Sequence, residues 1–281
     1  MKIEIRYHTD YAYDETVGFS PHIFRLFPKA DRYVHVARVE FSTNADADVQ
    51  YRRDIFDNEI AFCFYPQKGT HLVASLALEL HLAERNPFHF LLDRHAYEFP
   101  FQYKPHEQRV LAPYLQPQSA ATAALPFWEP KKMPTLDAIV GLNEALHKNI
   151  AYERRDEGTA YEPAETLEKG RGACRDYAVL LAETLRANGI AARLASGYLC
   201  EFGEGEKHAE GALHAWTEAL LPGAGWVGLD PTNGVFCNEN HITAAVGLLP
   251  DDISPVTGSY YNKTVVPLKM DAALELIKCE T

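Results

Sequence analysis

Cys174 stands in GRGACRDYAVLL, behind two glycines and at the point where an apolar helical pattern begins. A thiolate in the first turn of a helix faces the partial positive charge of unpaired N–H groups, which lowers the thiol pKa from about 8.5 and raises the nucleophilic fraction. Gly172 would let a substrate approach the backbone, and the N–H of Cys174 itself could donate to an oxyanion. A nucleophilic cysteine needs a base, and the base needs a group to orient it. The segment HAWTEALLPGAGWVGLD offers both, because two apolar runs flank LPGAG, a turn signal. A hairpin centred on Pro222 sets His214 directly opposite Asp230 on one face, with Cβ atoms about 4.5–5.5 Å apart, so that an imidazole N–H reaches the carboxylate. Each residue alone has a plainer reading: Cys174 as a small buried hydrophobe, His214 as a structural strand residue, Asp230 as a turn residue before Pro231. Together, in that order, they have the composition of a Cys-His-Asp triad.

Around these three, strand alternation turns Trp216 to the same face as His214, where it covers the imidazole, lines a cleft or packs in the core. Tyr152 and Tyr161 precede the cysteine helix. Each has a phenol able to donate to a developing negative charge, and each is equally a core or cleft-wall aromatic. Asp176 is expected to structure the helix N-terminus and to take no part in the chemistry.

The elements that must hold these residues are legible in the patterning. KIEIRYHT, HVARVEFST, EIAFCFY and THLVASLALELHL alternate apolar and polar positions, with NADAD and DIFDNE as turns, which predicts an antiparallel β-sandwich over 1–105. Prolines at 105, 113, 117, 126, 130 and 134 make 106–134 a connection with at most short helical pieces. From 135 to 281 the pattern is mixed. Thr135 is an N-cap candidate for the amphipathic TLDAIVGLNEALHKNI, YEPAETLEKG is a short helix stopped at Gly170, and the helix opened by Cys174 ends at Asn188-Gly189. Strands IAARLASGYLC, HAWTEALL and GWVGL follow, then a final strand candidate, KTVVPLKM. The fold class is therefore α+β, a β-sandwich followed by a core of helices on an antiparallel sheet.

Composition narrows the function. With 27 basic and 39 acidic residues the net charge is −12, and no polybasic tract is present, which argues against nucleic acid. The N-terminal MKIEIRYHTDYAYDE lacks the apolar core of a signal peptide or membrane anchor, so a cytoplasmic protein without a membrane partner is expected. Five cysteines, widely spaced, do not suggest a disulfide framework. No C-x-x-C, H-E-x-x-H, EF-hand loop, Walker or dinucleotide glycine pattern occurs, so neither metal, calcium nor nucleotide cofactor is expected. A thiol redox role pairing Cys174 with Cys200 or Cys237 lacks the motif it would need. The Gly- and charge-rich EFGEGEKHAEG, residues 201–211, reads as a loop beside the cleft, and Asn262 in NKT has the glycosylation pattern.

GRGACRDYAVLLAETLRANGIAARLASGYL followed by HAWTEALLPGAGWVGLDPTNG resembles the core of the transglutaminase-like superfamily, in the bacterial branch described as cysteine proteases. TDYAYDETVGFSPHIFRLFP and DIFDNE are similar to the β-rich N-terminal domain of that branch, and HITAAVG fits after the core. The resemblance implies a papain-like triad of Cys174, His214 and Asp230 acting on a peptide or protein amide through a thioester. Water as acceptor gives a peptidase or amidase, and an amine gives a crosslinking transglutaminase. A non-catalytic, peptide-binding member of the superfamily is the alternative from a different class.

Overall fold

A computed structural model describes the chain except residues 45, 120–124, 130, 156–157, 204–205, 263–264, 266 and 280–281. The first third is strand: β1 (Lys2–Phe19), β2 (His22–Phe24), β3 (Val34–Thr43), β4 (Asp48–Arg53), β5 (Glu59–Phe64) and β6 (Gly69–Leu82). Alternation decides the faces. Ile3, Ile5 and Tyr7 of β1 and Leu76, Leu78 and Leu80 of β6 are buried, while Arg6 and His8 between them are exposed. Each fully buried Leu or Ile contributes about 1.5–3 kcal/mol relative to exposure. Phe24, Ala61 and Cys63 from β2 and β5 close the same core from a second sheet.

Helix α1 (Pro105–Leu115) follows, then α2 (Thr135–Asn149), the short β7 (Ala151–Tyr152), α3 (Pro163–Lys169), the short β8 (Arg171–Gly172) and α4 (Cys174–Ala187). The proline-rich connection thus begins with an eleven-residue helix, because Pro105 occupies a first-turn position where its missing N–H costs nothing. Residues 120–124 and 130 of that connection lie outside the described residues. Thr135 is the first helical residue of α2 and not its cap; Pro134 holds that position. Gly170 ends α3 in the left-handed region, at φ 62°, as its sequence position suggests.

The rest includes β9 (Ala192–Leu199), β10 (His208–Glu210), β11 (Ala212–Leu221), β12 (Gly225–Asp230), β13 (Val235–Phe236), β14 (His241–Gly247), β15 (Val256–Thr257) and β16 (Pro267–Cys279). Strands β13-β12-β11-β9-β14 form an antiparallel sheet. Helix α4 packs on it through Tyr177, Leu181 and Leu185, and Thr217 Oγ1 of β11 donates to the Ala178 carbonyl at 2.7 Å. On the sandwich side, Tyr198, Ile242 and Ala244 join the core of β1 and β6.

Strand order does not follow chain order in the sandwich. β10 and β16 complete the β1 sheet in the order β10-β16-β1-β6-β3, and β15 joins β2, β5 and β4. The last strand pairs with β1 from Lys2↔Cys279 to Tyr13↔Pro267, inserting Leu274 and Leu276 into the first core. KTVVPLKM covers only its start, and residues 263, 264 and 266 of that stretch lie outside the described residues. The 201–211 loop likewise includes 204–205, and the NKT site includes 263–264. The loop's far end forms β10, which leads directly into β11.

Candidate active site

Helix α4 starts at Cys174 because its first turn is built around a buried carboxylate. Asp176, with no exposed surface, accepts the N–H of Ala173 at 2.7 Å, the N–H of Tyr161 at 2.7 Å and Nη2 of Arg155 at 2.8 Å. These contacts satisfy donors that a helix N-terminus leaves open and place negative charge at the positive end of the dipole. They also explain Gly172. A Cβ there would lie 2.8 Å from Cβ of Asp176, so the glycine makes room for the cap. Asp176 has the structural part the sequence suggests.

Beside the helix mouth, β7 and β8 run parallel, pairing Tyr152 with Gly172. Tyr152 is largely exposed there. The Tyr161 ring is covered by Arg155, 3.6 Å above its centroid, and by Lys169 at 4.1 Å. Its contacts tie the loop to the helix cap.

The β11–β12 hairpin departs from the expected register. Pairs run from Thr217↔Leu229 to Leu221↔Gly225, so the turn centres on Gly223, which adopts φ 90°, and not on Pro222. His214 is therefore not opposite Asp230; the two are diagonal neighbours, displaced by two residues. A two-residue shift preserves the face, because side chains alternate with period two. His214 Nε2 meets Asp230 Oδ2 at 2.9 Å, and both groups are buried.

Cys174 is partly buried at the start of α4, and the His214 ring and the Ala215 N–H both favour its thiolate. Since Nε2 is engaged by Asp230, Nδ1 is the ring nitrogen left for the thiol. Burial opposes the thiolate, but the facing imidazole, the Ala215 N–H and the Arg175 charge outweigh it and hold the thiol below its ordinary value. For His214, burial favours the neutral ring; the bonds to Asp230 and to the thiol prevail and raise it to about 10. Both shifts favour the charged forms of the two groups. Cys63 and Cys200 are buried and pushed up, to about 11 and about 12, with desolvation the chief cause, and Cys237 is likewise raised.

Trp216 lies 6.2 Å from His214, ring to ring and nearly parallel, with 1% of its surface exposed. It packs with Ala195, Cys237 and Val246, with Phe56 against them.

Sequence reasoning missed three residues around Asp230. Asn233 gives its backbone N–H to Oδ1 at 3.3 Å and its side-chain amide to Oδ2 at 2.8 Å, while the Thr232 N–H reaches Oδ1 at 3.0 Å. His241 Nε2 meets Oδ2 at 3.1 Å. The DPTNG string carries Thr232 and Asn233, so the turn could have been read as a carboxylate cradle. His241 comes from β14, at the far edge of the sheet, and has no local signal. His214, Asp230 and His241 are the one group of metal-ligating residue types found close together among the described residues. An ionised carboxylate only accepts, so in these hydrogen bonds each facing Nε2 is the donor. We read the group as a hydrogen-bonded array.

Residues 122–231 match the transglutaminase-like superfamily, and residues 3–80 match the bacterial transglutaminase-like N-terminal region. The chain belongs to the transglutaminase-like superfamily. An uncharacterized protein of Mycobacterium leprae is 32% identical over 152 residues, 53% of this chain and 51% of its own length. An uncharacterized protein of Mycobacterium bovis is 30% identical over 166 residues, with 53% and 52% covered. The chain thus spans about half the length of the curated relatives it matches. A solved structure described as "a Putative Cysteine Protease from Cytophaga hutchinsonii" superposes with a TM-score of 0.71 at 16% identity, over 100% of this chain and 93% of that one. That likeness is one of fold. Among the described residues no helix is long and apolar enough to cross a membrane.

Proposed function

We propose that this chain cleaves an amide or peptide bond through a thioester on Cys174, with His214 as base and acid and Asp230 as its orienter. The observation that carries the reading is the buried His214–Asp230 hydrogen bond, with the Cys174 thiol at the start of α4 held below its ordinary value by His214. The Cys174 thiolate attacks the substrate carbonyl carbon, forming a C–S bond as the carbonyl electron pair moves to oxygen. The oxyanion collapses, the C–N bond breaks, and His214 passes its proton to the departing amine. Water, giving a proton back to His214, then attacks the thioester and releases the acid and the thiolate. Asp230 keeps Nε2 protonated throughout and stabilises the imidazolium in the steps where it is present.

The Cys174 N–H is one oxyanion donor in this reading. Tyr152 is the phenol we assign as the second, since its strand runs beside Gly172 at the mouth of α4. Trp216 shields the imidazole from water. The substrate would be a peptide or protein amide. An amine in place of water at the second step would give crosslinking, and assay of ammonia or amine release with and without a primary amine separates the two.

The test is alkylation of the thiols from about pH 4 to about pH 9, with the modified residue located by mass. Fast labelling confined to Cys174, with an apparent pKa well below 8.5 that His214→Ala restores toward about 8.5, is expected. Equal reactivity at an ordinary pKa, indifferent to His214, overturns the reading in favour of a binding module.

A further inference from the structure

Asp230 serves two imidazoles, and the chemistry above uses only one. Its carboxylate has no exposed surface, so protein donors must satisfy it, and Oδ2 is divided among His214 at 2.9 Å, His241 at 3.1 Å and the Asn233 amide at 2.8 Å. Oδ1 is held separately by the Thr232 and Asn233 N–H groups. The arrangement around His241 is built. Nδ1 lies 3.4 Å from the Asn238 N–H and 3.2 Å from Oδ1 of the same residue, which also accepts the Asn240 N–H at 3.1 Å. The Trp216 ring stands edge-on to His241, with centroids 5.6 Å apart at 82°, and lies nearly parallel to His214. The titratable groups around His241 are Asp230 and His214, with Cys174 beyond His214 and the buried Cys237 thiol near Asp230.

A carboxylate oxygen that accepts several hydrogen bonds spreads its charge among them. If His214 had a larger share of Oδ2, its imidazolium would be held more tightly, and its proton would pass less readily to the leaving amine. We propose that His241 is a positioning residue: its Nε2–H holds Asp230 Oδ2 in place and limits how tightly that oxygen grips the His214 proton. The inference rests on the reading of Cys174 and His214 as nucleophile and base.

The test is alkylation by iodoacetate, an anion whose reaction reports the rise of the thiolate and the loss of the imidazolium as two limbs of one pH profile. Wild type is compared with His214→Ala, His241→Phe, which keeps a ring against Trp216 but removes the donor, and His241→Gln, which restores an N–H donor. In His241→Phe the rising limb should move down and the falling limb up, widening the profile by about one pH unit, and His241→Gln should return it toward wild type. A wild-type profile in His241→Phe overturns the inference while leaving the Cys174–His214 pair intact. A wild-type profile with an ordinary thiol pKa, unchanged in His214→Ala, removes the underlying reading and this inference with it. Should His241→Phe fail to fold, proton NMR of wild type with labelled histidine decides. Two low-field imidazole N–H protons, both sensitive to Asp230→Asn, are expected, and a single one overturns the inference.

Discussion

Asn58, in the turn between β4 and β5, exchanges two hydrogen bonds with the backbone of Val246 on β14: Nδ2 donates to the carbonyl at 2.8 Å and Oδ1 accepts the N–H at 2.9 Å. The amide imitates a strand partner and closes the exposed edge of the sheet that carries His214. The same turn brings Phe56 against the cluster containing Trp216. Asn58→Ala would leave two buried backbone groups unpaired, at about 1–3 kcal/mol each. Chemical denaturation should register the loss, and Cys174 labelling should slow as Trp216 loosens over the imidazole; unchanged values for both would refute this coupling.

The Asp176 carboxylate should be among the most sensitive side chains in the protein. Replacing it with alanine strips the acceptor from the Ala173 and Tyr161 N–H groups and leaves Arg155 without its buried partner. We expect Asp176→Ala to lose about 3 kcal/mol or more in denaturant titrations, and to slow Cys174 alkylation because the helix turn that presents the thiol frays. Asp176→Asn, which retains an acceptor, should lose less.

At Gly197 a side chain has no room. An added Cβ would stand 1.9 Å from the Ile242 carbonyl oxygen and 2.9 Å from the Ala244 nitrogen, where the β9–β14 ladder shifts register. Because both neighbours are backbone, Gly197→Ala must separate β9 from β14, and the expected outcome is insoluble or strongly destabilised protein, by about 3 kcal/mol or more. Normal thermal stability of that variant would contradict the packing described.

Reactivity should be bounded on both sides of neutrality. The Cys174 thiol is held below its ordinary value and His214 is raised to about 10. Activity should accordingly fall in acid as the thiolate is protonated, and fall in alkali as His214 loses its proton near pH 10. A pH–rate profile with any cleaved amide checks both limbs, and Tyr152→Phe should lower its plateau by about tenfold or more without moving either limb.

Linkage gives a separate stability signature. Burial alone would raise Asp230, but its bonds to His214, His241 and Asn233 hold it far below the ordinary carboxylate range. A depressed folded pKa means a contribution present above the unfolded value of about 3.9 and lost as pH falls below it toward the folded value. His214, being raised, contributes fully below about 6.5 and loses that contribution as pH rises through about 10. Relative to Asp230→Asn, wild type should therefore keep an advantage across neutral pH that shrinks in strong acid and again toward pH 10, measured as the difference in denaturation midpoint.

What the sequence by itself determined was local. The period of two in KIEIRYHT and THLVASLALELHL put Ile5 and Leu78 inside, the glycine and apolar spacing opened a helix at Cys174, and the even separation of His214 and Asp230 around a turn put them on one face. That last conclusion survived a turn centred one residue away from the expected position, because displacing the centre by one shifts the pairing by two and restores the same face. Tertiary structure decided what depends on distant partners: the diagonal contact of His214 with Asp230, the last strand's place beside β1, the docking of Asn58 on β14, and His241 on the same carboxylate oxygen as His214. None of these leaves a periodic trace in the chain. They arise when strands far apart in sequence bury their apolar faces together, and the polar groups carried in with them must then find one another.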